Sequence, residues 1–220
     1  MTMEQSSAFC PYCNFTLKKP PQRKAKCPSC GNFMYIRTLP TTRERVIVTE
    51  SRAKEIDTEW ATSQSRQKWM QILSSYGTSE TDYEREKGQL TKKFGHEAKD
   101  RDVIWSLFNR LITIKRDLHS LKTLNYEMAV FLDEENRDFR PLLEQAAKMD
   151  LLQYKKLNVV KVEILSAGIG NSCEGCQKQH GKIYTIDEAL RLMPIPCKDC
   201  TRTLNSERKG FCRCKYVAAF

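Results

Sequence analysis

Apolar residues change their spacing along this chain, and the changes mark its parts. From about residue 100 to residue 152 they recur at intervals of three and four. Ile104, Leu107, Phe108, Leu111 and Ile112 form one stripe; Leu118, Leu121, Leu124, Met128, Phe131 and Leu132 continue it after a break. Such spacing gathers apolar side chains on one helix face and predicts bundle core. Asp138 and Pro141 mark a further helix start, with Leu142, Leu143, Ala146, Ala147, Leu151 and Leu152 on its buried side. Upstream, a weakly patterned helix is expected over residues 49–76, with Ile56, Trp60, Met70 and Leu73 inward and Gly77 at its end. Ser79 or Thr81 caps a short helix ending near Gly95, and Asp100 caps the next.

At Asn158 the period becomes two. Val160, Val162 and Ile164 face one way, with Lys161 and Glu163 between them, which predicts a strand. Residues 181–184 read as a turn and short strand, 186–192 as a short helix and 215–217 as a terminal strand. Near the other end, 33–36 and 46–48 are β-prone runs separated by Pro40. The expected fold class is α+β multidomain. Residues 1–48 form a small ribbon with a basic loop, 49–157 a central α-helical bundle, and 158–220 a small cysteine-rich α+β module.

The cysteines sharpen this outline. All ten fall in two groups, Cys10, Cys13, Cys27, Cys30 and Cys173, Cys176, Cys197, Cys200, Cys212, Cys214, with none over residues 31–172. Residues 1–8 are polar with no apolar h-region, and no run approaches the ~18 apolar residues of a membrane span, so a cytoplasmic, reducing setting without membrane association is expected. There, clustered cysteines hold metal more often than they form disulfides. Two Cys-x2-Cys knuckles thirteen residues apart let four sulfurs reach one ion, and Gly31 suits the positive φ that follows a knuckle. The second group offers six thiols, more than one tetrahedral Zn(2+) needs. Either two of these cysteines are spare or two ions share ligands; the expected complement is two zinc ions, one per group, with His180 a loop residue beside the second.

Charge is uneven. Residues 1–48 carry a net +6, 49–153 a net −2 and 154–220 a net +6, giving +10 overall. Each four-thiolate zinc site contributes about −2, so bulk charge is a weaker guide than its placement. Lys18, Lys19, Arg23, Lys24 and Lys26 lie between the first two knuckles and are the candidate phosphate contacts, with a basic tail over 202–215. Tyr12, Phe15, Phe33 and Tyr35 are available to stack on bases.

Cys10-Pro-Tyr-Cys13 and Cys27-Pro-Ser-Cys30-Gly31 resemble the zinc-ribbon superfamily over about 40 residues. Cys173-Glu-Gly-Cys176, Gly181-Lys182-Ile183-Tyr184, Pro194-Ile195-Pro196-Cys197 and Cys212-Arg213-Cys214 resemble the C-terminal end of phage head-morphogenesis proteins of the Mu F-like class. In this chain Cys197 stands where a histidine is commoner, and residues 198–211 are inserted. The first resemblance implies metal binding; the second implies a role in phage or prophage head assembly.

No P-loop, Gly-x-Ser-x-Gly or dinucleotide fingerprint is present, and His96-Glu97 is not part of His-Glu-x-x-His. The reading is a non-enzymatic zinc-binding adaptor or nucleic-acid-binding protein, with DNA or RNA as partner and the helical domain available to a protein. Two alternatives stand beside it. One is the head-morphogenesis-like structural protein. The other is a zinc-supported hydrolase or nuclease-like effector, in which His180 and Asp187 or Asp199 perform acid–base work.

Overall fold

A short ribbon begins the chain because its apolar residues are too few for a larger sheet. The computed structural model describes residues 8–168, 172–201, 203–205, 208–209 and 212–219. The fold is α+β, and the chain divides into two compact units, Met1–Ile104 and Trp105–Phe220.

In the first unit, β1 (Ala8–Phe9) pairs antiparallel with β2 (Thr16–Leu17). β3 (Ala25–Lys26), β4 (Phe33–Thr38) and β5 (Arg45–Val48) form an antiparallel sheet with β4 central, Ile36 opposite Ile47. Its core is only Cys10, Cys27 and Met34, with Leu17, Ala25 and Ile47 packed against them.

α1 (Glu50–Ser75) follows at once, its first turn capped by the Thr49 hydroxyl, which accepts from the Arg52 amide. The inward residues are Ala53, Ile56, Trp69 and Leu73. Trp69 therefore takes the place expected for Met70, a shift of about 100° around the helix that a sparse apolar pattern does not resolve. Trp60 turns toward the ribbon instead. Its indole Nε1 donates to the Thr38 carbonyl at 2.5 Å, and Arg43 lies over its ring. The Arg37 guanidinium adds a two-pronged ion pair to Asp57, at 2.7 and 3.0 Å.

α2 (Glu80–Phe94) has a capping box between Ser79 and Asp82 and ends on Gly95 at φ +74°. α3 (Asp100–Ile114) begins with Asp100. In place of the cap that its position suggests, the carboxylate accepts a 2.6 Å hydrogen bond from the buried Tyr83 hydroxyl. Burial, then the Asp100 carboxylate, pushes the Tyr83 phenol far above its ordinary pKa.

The second unit opens with the last turns of α3. α4 (Leu118–Glu134) is capped by Asp117. α5 (Arg140–Lys156) carries Pro141 in its first turn as expected, but Phe139 rather than Asp138 holds the cap position, and the Asp138 carboxylate accepts from the Arg140 amide at 3.1 Å. Leu124, Met128, Phe131, Leu132, Leu143 and Ala146 are buried on these helices, and Trp105 stacks on Phe131 at 6.0 Å between ring centroids. Lys122 Nζ meets Asp150 at 2.6 Å, joining α4 to α5.

β6 (Lys161–Leu165) is the central strand of an antiparallel sheet whose neighbours are β7 (Ile183–Thr185) and β10 (Lys215–Ala219). α6 (Glu174–Gln179) precedes β7, and α7 (Ile186–Leu192) follows it with a Thr185/Glu188 capping box. Between α7 and β10 lies a hairpin of β8 (Thr203–Asn205) and β9 (Arg208–Lys209). Val162 and Ile164 are fully buried as the alternation predicts, but Val160 lies before the strand and is 72 % exposed.

Leu151 of α5 is fully buried in one cluster with Val162, Ile164, Ile186, Ala189 and Tyr216. Truncation there leaves a cavity bounded by a helix and a sheet that cannot both collapse into it. Leu151→Ala should cost about 2–5 kcal/mol. Urea denaturation followed by circular dichroism checks this. A loss below about 1 kcal/mol would mean that α5 does not share the sheet's core.

Candidate metal centres

The ribbon brings its four cysteines together through two copies of one backbone turn. Cys10 N donates to the Phe15 carbonyl and Asn14 N to the Cys10 carbonyl; Cys27 N donates to the Asn32 carbonyl and Gly31 N to the Cys27 carbonyl. Asn14 and Gly31 occupy matching positions at φ +56° and +72°. Both are residues that tolerate the left-handed conformation. The result is Sγ–Sγ separations of 3.8 Å for Cys10–Cys30 and 3.7 Å for Cys13–Cys27. A tetrahedral ion with Zn–S bonds of about 2.3 Å requires sulfur–sulfur edges of about 3.8 Å. The four thiols fit such an ion.

Local donors prepare these sulfurs for ionisation. Hydrogen bonds from the Cys30 and Ser29 amides outweigh lost hydration and hold the Cys27 thiol down at about 6. The Phe15 amide favours the Cys13 thiolate, but lost hydration and the three neighbouring sulfurs outweigh it and raise Cys13 to about 11. Four thiols this close cannot all ionise unless a cation balances them.

The C-terminal cysteines form two overlapping groups. Cys176, Cys197, Cys212 and Cys214 are one; Cys173, Cys176 and Cys200 are the other. Within the first, Cys176–Cys212 is 3.6 Å and Cys197–Cys214 is 3.9 Å. Within the second, Cys200 lies 3.7 Å from both Cys173 and Cys176. No disulfide joins any of the ten cysteines. Elements distant in sequence build this cluster: α6 carries Cys176, the turn after Pro196 carries Cys197 and Cys200, and the approach to β10 carries Cys212 and Cys214. The Cys197 amide donates to Cys212 Sγ at 3.3 Å. The Cys197 and Cys214 thiols, in that order, hold Cys212 far below the ordinary thiol range. Burial pushes Cys176 up. At Cys173 burial is overcome by the Cys176 and Thr201 amides, and its thiol lies near 7.

Gly175 has a specific reason to be glycine. A Cβ there would stand 3.0 Å from the Asp199 carbonyl oxygen, so any side chain would push the Cys173–Cys176 turn off the Cys197–Cys200 turn. His180 joins neither sulfur group; its Nδ1 accepts from the Ser166 amide at 3.2 Å. Asp187 pairs with Lys155 at 2.6 Å.

The five loop cations, Lys18, Lys19, Arg23, Lys24 and Lys26, are all exposed on the ribbon. Lys24 Nζ lies 4.4 Å from the Phe33 ring centroid and 4.8 Å from that of Tyr35; Lys26 Nζ is 5.2 Å from Phe33. Phe9, Tyr12, Phe15 and Phe33 are between 42 % and 49 % exposed. Phe9 is the aromatic that the knuckle motifs do not point to, because it precedes the first of them. A concave surface of about 620 Å³ opens among Phe15, Leu17, Lys18, Lys19 and Lys26. Part of the basic tail, at residues 202, 206–207 and 210–211, lies outside the described residues.

No family model, curated protein or solved structure matches this chain. The cysteine geometry is compatible with zinc-ribbon-like sites, and it stands without a matched relative. Among the described residues no helix is long and apolar enough to cross a membrane.

Proposed function

We propose that this chain is a non-enzymatic, zinc-supported nucleic-acid-binding protein, with the ribbon as its contact surface. Thiolate-only groups with tetrahedral spacing favour zinc held structurally, because a catalytic zinc keeps a position for water and mixes in nitrogen or oxygen ligands. The observation that carries the reading is the joint placement of lysines and half-exposed aromatics on the ribbon. Lys24 and Lys26 lie against Phe33, with Phe15 and Lys18 lining one concavity. Single-stranded nucleic acid is bound by this pairing of phosphate-tracking cations with stacking rings. Anchoring both loop ends at knuckles lowers the cost of ordering these cations. His180 and Asp187, the groups an acid–base reading would use, are engaged by Ser166 and Lys155.

The test is fluorescence anisotropy with a labelled single-stranded oligonucleotide at several salt concentrations. Removing one cation that touches a phosphate should reduce the salt slope by about 0.7. Replacing Arg23, Lys24 and Lys26 with alanine should therefore flatten the slope by about 2 while ribbon zinc stays bound. Phe33→Ala should weaken binding by about 1–3 kcal/mol per stacked base, with the slope preserved. Absence of binding by the parent at low salt would overturn the proposal.

A further inference from the structure

We infer that the C-terminal module holds two metal ions that share the Cys176 thiolate, making three ions per chain. This rests on the proposed reading of the C-terminal cysteines as zinc ligands and extends it. One tetrahedral ion accounts for Cys176, Cys197, Cys212 and Cys214. It leaves Cys173 and Cys200 unexplained, yet these are not placed as spare thiols. The Cys200 sulfur lies 3.7 Å from those of both Cys173 and Cys176, an edge length like those of the complete four-sulfur groups. All three sulfurs lie within 4.8 Å of one another.

Two features outside the sulfurs support a built site. The Cys173–Cys176 and Cys197–Cys200 turns are locked together by the close approach of Gly175 to the Asp199 carbonyl. The Cys200 amide closes its own turn onto the Cys197 carbonyl at 3.1 Å. The first turn thus sends Cys176 to the four-sulfur group, and the second sends Cys197. Their other cysteines, Cys173 and Cys200, go to the three-sulfur group, with Cys176 in both.

The electrostatics agree. Six thiolates around one divalent ion would leave a charge of about −4 in a half-buried cluster, whereas two ions reduce it to about −2, the same as one ordinary four-thiolate site. The second ion takes Cys173, Cys176 and Cys200. The chain has no further cysteine, so with only Cys176 shared the fourth ligand of this ion is not a cysteine. Sharing Cys176 lets six cysteines fill about seven of the eight ligand positions that two tetrahedral ions need.

The full-length protein, saturated with zinc under reducing conditions and freed of excess metal by gel filtration, should carry three zinc ions by elemental analysis. A count of two overturns the shared centre and leaves one C-terminal ion; a count of one overturns the C-terminal zinc reading as well. Loading with ¹¹³Cd should give three NMR resonances, two of them coupled to each other through the common sulfur. Three uncoupled resonances would overturn the bridge. Cys200→Ser should lose one ion and keep two; retention of three would overturn the assignment of Cys200. Should that variant misfold, thiol labelling of the native zinc-loaded parent decides. Cys173 and Cys200 should resist maleimide until a chelator is added, and rapid labelling of both would overturn the proposal.

Discussion

Cys212→Ser should dismantle the C-terminal sheet, the largest single-residue effect expected in this chain. Cys212 is 7 % exposed and stands just before β10. Its sulfur accepts the Cys197 amide and lies 3.6 Å from Cys176, so it ties α6, the Pro196 turn and the last strand into one point. β10 then runs antiparallel along β6, with Tyr216 opposite Ile164, both buried. Remove the sulfur and β10 loses its anchor while the four-sulfur group falls to three ligands. Structural zinc contributes about 10–16 kcal/mol of apparent folding energy in small metal domains. That is comparable to the whole stability of an ordinary domain, about 5–15 kcal/mol. Hydrogen exchange should show loss of protection across β6, β7 and β10, with ribbon zinc retained. Parent-like protection in β6 would show that the apolar cluster around Leu151 and Val162 suffices without the metal.

Much of this arrangement is legible in the sequence, and what is not has physical causes. Helices with dense apolar stripes, such as α4 and α5, are visible because a 3.6-residue period survives any tertiary detail. The start of α5 is visible at Pro141 because a fixed φ is a local effect, whereas Asp138 stands one residue before the cap position, which Phe139 holds without a side-chain hydrogen bond. α1 is harder. It has few apolar residues, and Trp60, which the pattern places inward among them, instead hydrogen-bonds the ribbon carbonyl of Thr38. An amphipathic aromatic with a donor at one end can satisfy either environment. Asp100 reads as a cap because acidic residues open helices, but the cost of leaving the Tyr83 hydroxyl unpaired in the core claims it first.

The ribbon site is readable whole, since its spacing places all four sulfurs by local turns. The C-terminal cluster is readable only as a set of candidates. Cys176 and Cys214 are separated by most of the module, and which sulfurs meet depends on β6, β10 and the close approach at Gly175. No spacing rule encodes the double membership of Cys176. The grouping of lysines with Phe33 is partly legible, because β3 and β4 pair locally with Lys26 opposite Phe33.

Cys27→Ser should unfold the ribbon and abolish its metal binding while α1 keeps its helix. Cys27 is 2 % exposed and shares the small ribbon core with Cys10 and Met34. Burying one methionine, with a leucine, an alanine and an isoleucine against it, gives a few kcal/mol, at about 1.5–3 kcal/mol for a large apolar side chain. Apolar burial this small is weak support for a folded ribbon, so the proposed metal ligation carries most of its folding energy. The Cys30 and Ser29 amides favour the Cys27 thiolate, and serine, a harder and far less acidic donor, offers no such anion to a metal. α1 is secured independently by the Thr49 cap and by Trp69 and Leu73. Two-dimensional NMR should show collapse of the β3, β4 and β5 amide dispersion, with helical signals of α1 beyond Trp60 preserved. Oligonucleotide binding should fall with the ribbon, because the loop carrying Lys18, Lys19, Arg23, Lys24 and Lys26 would no longer be held at its ends. Concerted loss of the α1 signals would mean that the Arg37–Asp57 and Trp60–Thr38 pairs make ribbon and helix a single cooperative unit.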